Sequence, residues 1–217
     1  MGKISQGILG GVSGKVGNVV GGSWKGIDYL RILPASVANP RTPAQMDQRS
    51  KFITVINFLQ PIKDFIRVGF KNYAVKMTQF NSAMSYNVKN AIAGTYPDYT
   101  IDYPNALVSR GGLAPALNGA ASSTVAGLVS FEWDDNSGDG NAESSDKALL
   151  VVYNPAKNEA VFILDGANRI TGVQEVTIPD NYSGDTVHAY IGFISEDGVS
   201  VSNSKYVGAV QIAEPIR

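Results

Sequence analysis

Cysteine is absent from the 217 residues, which rules out disulfides, thiolate nucleophiles and Cys-ligated zinc together. Histidine occurs once, as His188. A Ser-His-Asp relay needs that imidazole beside an exposed nucleophile, and no G-x-S-x-G elbow exists to present one. A lone histidine inside an alternating run reads as structural. No P-loop, dinucleotide fingerprint or H-E-x-x-H occurs. Apolar runs are short as well, and none approaches the roughly 18 residues that cross a bilayer. The opening MGKISQGILGGVSGK offers only Ile8-Leu9 before glycines interrupt it, so no signal-peptide core is read. These absences point to a cytoplasmic chain without a membrane span, and assign no catalytic residue, cofactor or metal ligand.

What is present fits a globular chain with a real core: 44% of residues are hydrophobic. The formal net charge of −1 conceals a split. Residues 1–90 carry 12 Lys/Arg against Asp28, Asp47 and Asp64, whereas residues 91–217 carry 6 Lys/Arg against 16 Asp/Glu. Such asymmetry suits nucleic acid on the basic half or a second copy meeting it head to tail.

Nine glycines lie between Gly2 and Gly26. They surround two strand-like pieces, Lys15–Val20 and Ser23–Leu33, with Gly21-Gly22 read as the turn of a hairpin. In the second piece Lys25, Ile27, Tyr29 and Arg31 alternate with Trp24, Gly26, Asp28 and Leu30, so one face is aromatic and basic. Glycine-rich strands of this kind leave edges that can join a neighbour's sheet. Thr42, Pro43 and Gln45 then form a capping-box start for a helix, with Met46, Phe52, Ile53, Ile56 and Leu59 as its apolar face. Pro61 kinks or restarts it before Ile62, Phe65, Ile66 and Phe70. A further helix is expected from Ser82 to Ala93. Between these stripes fall Arg49, Lys51, Lys63, Arg67, Lys71, Lys76 and Lys89, a solvated face or a phosphate-tracking one.

Residues 95–104, TYPDYTIDYP, read as a linker or edge passage. Beyond them strands are expected at Ala106–Ser109, Thr124–Trp133, Lys147–Tyr153, Glu159–Leu164, Gly172–Ile178, Thr186–Ser195 and Val199–Val210. Glu196-Asp197-Gly198 makes the turn between the last two. Seven short strands separated by turn clusters match an immunoglobulin-like sandwich. The acidic loop 134–146 places Asp135, Ser137, Asp139, Gly140 and Asp146 at calcium-loop spacing, but with Asp where a bidentate Glu belongs and strands in place of flanking helices. An ordinary inter-strand loop explains it equally well.

Val129-Ser130-Phe131-Glu132-Trp133 resembles the second strand of a fibronectin type III domain, and Leu149-Leu150-Val151-Val152-Tyr153 is similar to its third. Tyr182 to His188 has the spacing of the turn into the sixth strand, with His188 standing where the corner tyrosine usually does. The whole chain also resembles an uncharacterised bacterial family, a domain of unknown function. Its marks here are Gly14–Asn18, then Asn39-Pro40-Arg41-Thr42 with Gln45, Arg49 and Phe52, and the Tyr190–Gly208 block. That resemblance implies no activity.

The reading is thus a mainly β chain with helices: an N-terminal α+β region (residues 1–100) with a hairpin and two or three basic helices, then a fibronectin III-like β-sandwich (residues 101–217). Its expected role is a non-enzymatic structural or interaction protein, with a protein partner or self-association through the N-terminal strands. The second reading is nucleic-acid binding by the basic half, with Trp24, Tyr29, Tyr73 and Tyr86 as stacking platforms.

Overall fold

The computed structural model describes residues 2–3, 14–24, 27–36 and 41–215. The chain forms two compact units that divide between Thr42 and Pro43. In the first, β1 (Gly2–Lys3), β2 (Gly14–Val16), β3 (Val19–Trp24) and β4 (Ile27–Ile32) form an antiparallel sheet in the order β1-β4-β3-β2. Gly21-Gly22 is not the expected turn. Both glycines lie inside β3, and Gly21 pairs with Gly14 on one side and Leu30 on the other. The chain reverses instead at Gly17-Asn18, between paired Val16 and Val19, where Gly17 takes φ +57°. Lys25, Gly26, Asn39 and Pro40 lie outside the described residues.

The second unit is built on a seven-stranded sandwich. Its strands are β7 (Leu117–Ser122), β8 (Leu128–Asp134), β9 (Lys147–Asn154), β10 (Glu159–Ile163), β11 (Val173–Thr177), β12 (Thr186–Ile194) and β13 (Lys205–Gln211). One sheet runs β11-β8-β7 and the other β10-β9-β12-β13. Val129, Phe131 and Trp133 of β8 meet Leu150 and Val152 of β9 and Val187, Ala189, Ile191 and Phe193 of β12 between the sheets. The alternate residues Leu149, Val151, Tyr153 and Tyr190 face the other way, into a second apolar core. Hence Leu149–Tyr153 reads as an unbroken apolar run: both faces of that strand are buried.

Helices fill the second core. α1 (Pro43–Leu59), α2 (Lys63–Gly69) and α3 (Gln79–Asn90) lay Val55, Phe58, Leu59, Phe65, Ile66, Ala83 and Met84 on the outer face of the β9–β12 sheet. The sequence reading put these helices with the N-terminal region and divided the chain at residue 100. They pack within the second unit because their apolar side has the sandwich to cover. The buried stripe of α1 also differs from the expected one. Val55, Phe58, Leu59 and then Ile62 are buried, while Phe52 and Ile53 are 51% and 57% exposed. Apolar residues occur around most of this helix, so spacing alone offers two faces and tertiary packing selects one. Pro61 lies in the turn where α1 has ended and α2 has not begun. Thr78 caps α3 by accepting from the Asn81 N–H at 3.2 Å.

Four other segments depart from the sequence reading. Residues 95–104 are not a linker: β5 (Ile92–Thr95) and β6 (Asp98–Ile101) pair as a hairpin, tied to α1 by a hydrogen bond from the Tyr99 hydroxyl to Asp47. Ala106–Ser109 is no strand. The Asn87 side chain binds both the N–H and the carbonyl of Leu107, and the Ser204 hydroxyl accepts from Val108 N–H at 3.0 Å. Side chains thus replace a ladder. Ser204 directly precedes the last strand, which begins only at Lys205. β7 was not foreseen, because its LNGAAS carries no alternation; Gly119 is needed there, since a Cβ would lie 2.9 Å from Val207 and 3.1 Å from Ile191.

One buried charge pair ties the sandwich's loops together. Arg169 and Asp146 are 0% and 1% exposed. Arg169 donates to Asp146 Oδ2 through Nε at 3.1 Å and Nη2 at 3.0 Å, to Asn136 Oδ1 at 2.6 Å and to the Ala114 carbonyl at 2.9 Å. Its guanidinium also lies 3.8 Å from the Phe193 ring centre. Arg169→Met leaves the Asp146 carboxylate buried without its cation and is expected to cost about 3–5 kcal/mol in urea unfolding. Pairing it with Asp146→Leu should recover part of that loss.

Candidate interaction surfaces

In the N-terminal sheet the register decides which side chains share a face. Val16 pairs with Val19 and Val19 with Ile32, so three β-branched side chains form a row across β2, β3 and β4. They are 69%, 38% and 77% exposed. Lys15, Val20 and Arg31 pair in the next row, on the opposite face, where Tyr29 also lies. The Tyr29 ring covers Gly22 so closely that a Cβ there would sit 3.2 Å from its hydroxyl. No described residue before Val55 belongs to either apolar core. The sheet therefore has an apolar face and a basic, aromatic face. The sequence reading found part of the second and missed the first, because the Gly21-Gly22 turn assignment breaks the Val16–Val19–Ile32 row. The Gly17-Asn18 dipeptide between two valines was the signal that locates it.

Of the basic helix residues, Lys51 pairs with Asp47 at 2.9 Å and Arg67 with Asp64 at 2.9 Å. Tyr73 and Tyr86 sit beneath the Arg110 guanidinium, at 4.3 and 5.3 Å from its centre. Tyr29 belongs to the other unit, and the Trp24 side chain lies outside the described residues. The cationic and aromatic residues are thus distributed over separate elements, with several already partnered.

In the 134–146 loop, Asp135 accepts from the N–H and the hydroxyl of Ser137, and these bonds hold its carboxyl below the usual range. Asp146, the twelfth position of the calcium-like spacing, points into the protein and is bound by Arg169 and by the Glu143 N–H at 3.0 Å. The loop does not gather its carboxylates. Among the described residues no group of three His, Cys, Asp or Glu stands close enough to hold a metal ion. No helix among them is long and apolar enough to cross a membrane.

His188 lies on β12 on the helix-covered side of the sheet. Its ring stacks on Tyr103, with centres 3.5 Å apart and planes at 15°, and its Nδ1 is 3.0 Å from the Tyr206 hydroxyl. Tyr190 completes the cluster by donating to the Tyr103 carbonyl at 2.9 Å. Among the described residues no serine or carboxylate is bonded to the imidazole, and its setting is an aromatic one.

With both units described, comparison with known proteins adds two findings. A family described as of unknown function, DUF6266, matches residues 11–208, which takes in most of both units. The chain belongs to that family. Among solved structures, the fibronectin type III domain of human collagen alpha-1(XX) chain is similar over 49% of this chain and 90% of its own, at 14% identity and a TM-score of 0.36. A fourth human fibronectin type III domain is similar over 58% and 92%, at 16% identity and a TM-score of 0.33. No curated protein matches the chain. The fold assignment rests on the strand order, in which the first, second and fifth strands of the sandwich face the fourth, third, sixth and seventh.

His188 gives this fold a measurable pH signature. Burial pushes its imidazole down to about 4 from 6.5. An unfolded chain therefore binds a proton near pH 6.5 that the folded chain refuses until about pH 4. The stabilisation is fully present above pH 6.5 and is lost as pH falls toward 4, amounting at most to about 3 kcal/mol. Asp135 and Asp185, held low by hydrogen bonds from Ser137 and Lys157, contribute only at the acid end of that window, because their ordinary value is 3.8. In His188→Phe, the urea midpoint should change much less between pH 6.5 and 4 than in the parent.

Proposed function

We propose that the protein is a non-enzymatic structural or interaction protein that associates with its own copies through the N-terminal sheet. The observation that carries this reading is the exposed Val16–Val19–Ile32 row on a sheet none of whose described residues belongs to an apolar core. An isolated sheet of this size gains stability only when an apolar face is covered. Its edge strands β1 and β2 have two and three residues, so each offers little ladder for strand addition. Face-to-face packing of two apolar faces is the better-supported geometry. The opposite face, with Lys15, Tyr29 and Arg31, favours a second reading: contact with a nucleic-acid backbone and its bases.

Light scattering at about 0.05 and 0.5 M salt separates the two, because apolar association survives screening and phosphate contacts do not. Oligomers that persist in salt and lose mass in Val16→Asp/Ile32→Asp are the expected result. Both positions are exposed, so the variant should keep its far-UV circular dichroism. A monomer at every concentration and salt, joined by salt-sensitive oligonucleotide binding that Lys15→Glu/Arg31→Glu abolishes, would replace the first reading with the second.

A further inference from the structure

The second unit presents two unlike surfaces on its opposite sides. Its layers run helices, then the β10-β9-β12-β13 sheet, then the β11-β8-β7 sheet. On the outer side of the helices, α1 and α3 enclose an open groove of two adjoining depressions, about 450 and 380 Å³, that share Phe52 and Val88. Phe52 and Ile53 are half-exposed there, with Met84 at the floor, although α1 buries its other apolar face normally. Arg49 and Lys89 line the groove, and no carboxylate does.

At the other extreme lies the uncovered face of the β11-β8-β7 sheet. Pairing sets its rows: Leu117 with Asp134, then Ala120, Glu132 and Val173, then Ser122, Ser130 and Glu175. Leu117 and Val173 are each 44% exposed. Glu132 and Glu175 are exposed and enter no ion pair among the described residues. None of the three strands carries a Lys or Arg. This face mixes apolar side chains with carboxylates, as the groove mixes them with cations.

We propose that the α1/α3 groove receives the outer face of the β11-β8-β7 sheet of a second copy. Charge complementarity selects that occupant: each copy holds both halves of the match, on sides that cannot reach one another. The contact is heterologous, so repetition gives a ring or an open chain of copies rather than a two-fold dimer. The proposal deepens the self-association reading by adding a second interface, remote in sequence from the N-terminal sheet.

The test uses the full chain carrying Val16→Asp/Ile32→Asp throughout, so that the N-terminal face is silent. Into it go Arg49→Glu/Lys89→Glu (groove reversed) or Glu132→Lys/Glu175→Lys (sheet reversed). Sedimentation velocity of the background protein should show concentration-dependent association. Either reversal alone should weaken it at least about tenfold, since like charges then face each other. Mixing the two should restore association, because the native groove then meets the native sheet face and the reversed groove meets the reversed sheet face. That rescue also shows that both variants fold. Phe52→Asp provides an apolar-side control and should weaken association in the background as well. A background protein that stays monomeric, or reversals that leave association unchanged or fail to rescue on mixing, overturns the proposal. The N-terminal reading is judged separately, by whether Val16→Asp/Ile32→Asp lowers the mass of the otherwise unmodified chain.

Discussion

Everything in the second unit depends on one sheet having two buried faces. β9 and β12 alternate their side chains between the sandwich interior and the helix-covered core, so each strand contributes to both. Apolar burial of this extent is the main stabilising term in a chain without disulfides. It also explains why the helices pack with the sandwich. Without them Leu149, Val151, Phe162 and Tyr190 would face water, and without the sheet Phe58, Leu59 and Phe65 would. His188 follows from the same constraint. At its position the strand faces the helical layer, and the imidazole is part-buried and stacked there, which pushes its pKa down.

Close layers leave polar groups to be satisfied locally. Residues 106–111 cross between α3 and the sheet without a ladder of their own, and Asn87, Ser109, Asn203 and Ser204 supply the bonds. Arg169 does the same for the loops at one end of the sandwich, joining residues 114, 136 and 146 through a single guanidinium. Such a node costs desolvation and returns specificity of loop placement. It is also the reason the 134–146 loop keeps Asp146 inside rather than offering it to a cation.

The functional reading comes from the surfaces this packing leaves over. The N-terminal sheet has an exposed apolar row and no described residue in either core, the helical layer has an apolar groove with cations, and the far sheet has carboxylates beside Leu117 and Val173. In each case the signal is an apolar side chain left exposed, which is the informative kind of exposure, and the charges beside it set the sign of the surface. The charge asymmetry of the sequence takes a geometric form here, with opposite signs on opposite sides of one unit.

The sequence by itself determined the strand-rich sandwich, the turn at Glu196–Gly198, the helix beginning near Pro43 and its interruption at Pro61. These are written in local terms: period-two alternation, Asp-Gly and proline chemistry act over a few residues. The family resemblance was legible in the Gly14–Asn18 and Tyr190–Gly208 stretches for the same reason. Tertiary structure alone decided the rest. Val55, Phe58 and Leu59 prevail over Phe52 and Ile53 because the sheet can cover one side of a helix that is apolar on several. Leu117–Ser122 becomes a strand because β8 provides its ladder, and Ala106–Ser109 fails to become one because Asn87 and Ser204 reach it first. Gly21-Gly22 enters a strand because pairing on both sides, a non-local gain, outweighs the local preference of glycine for turns.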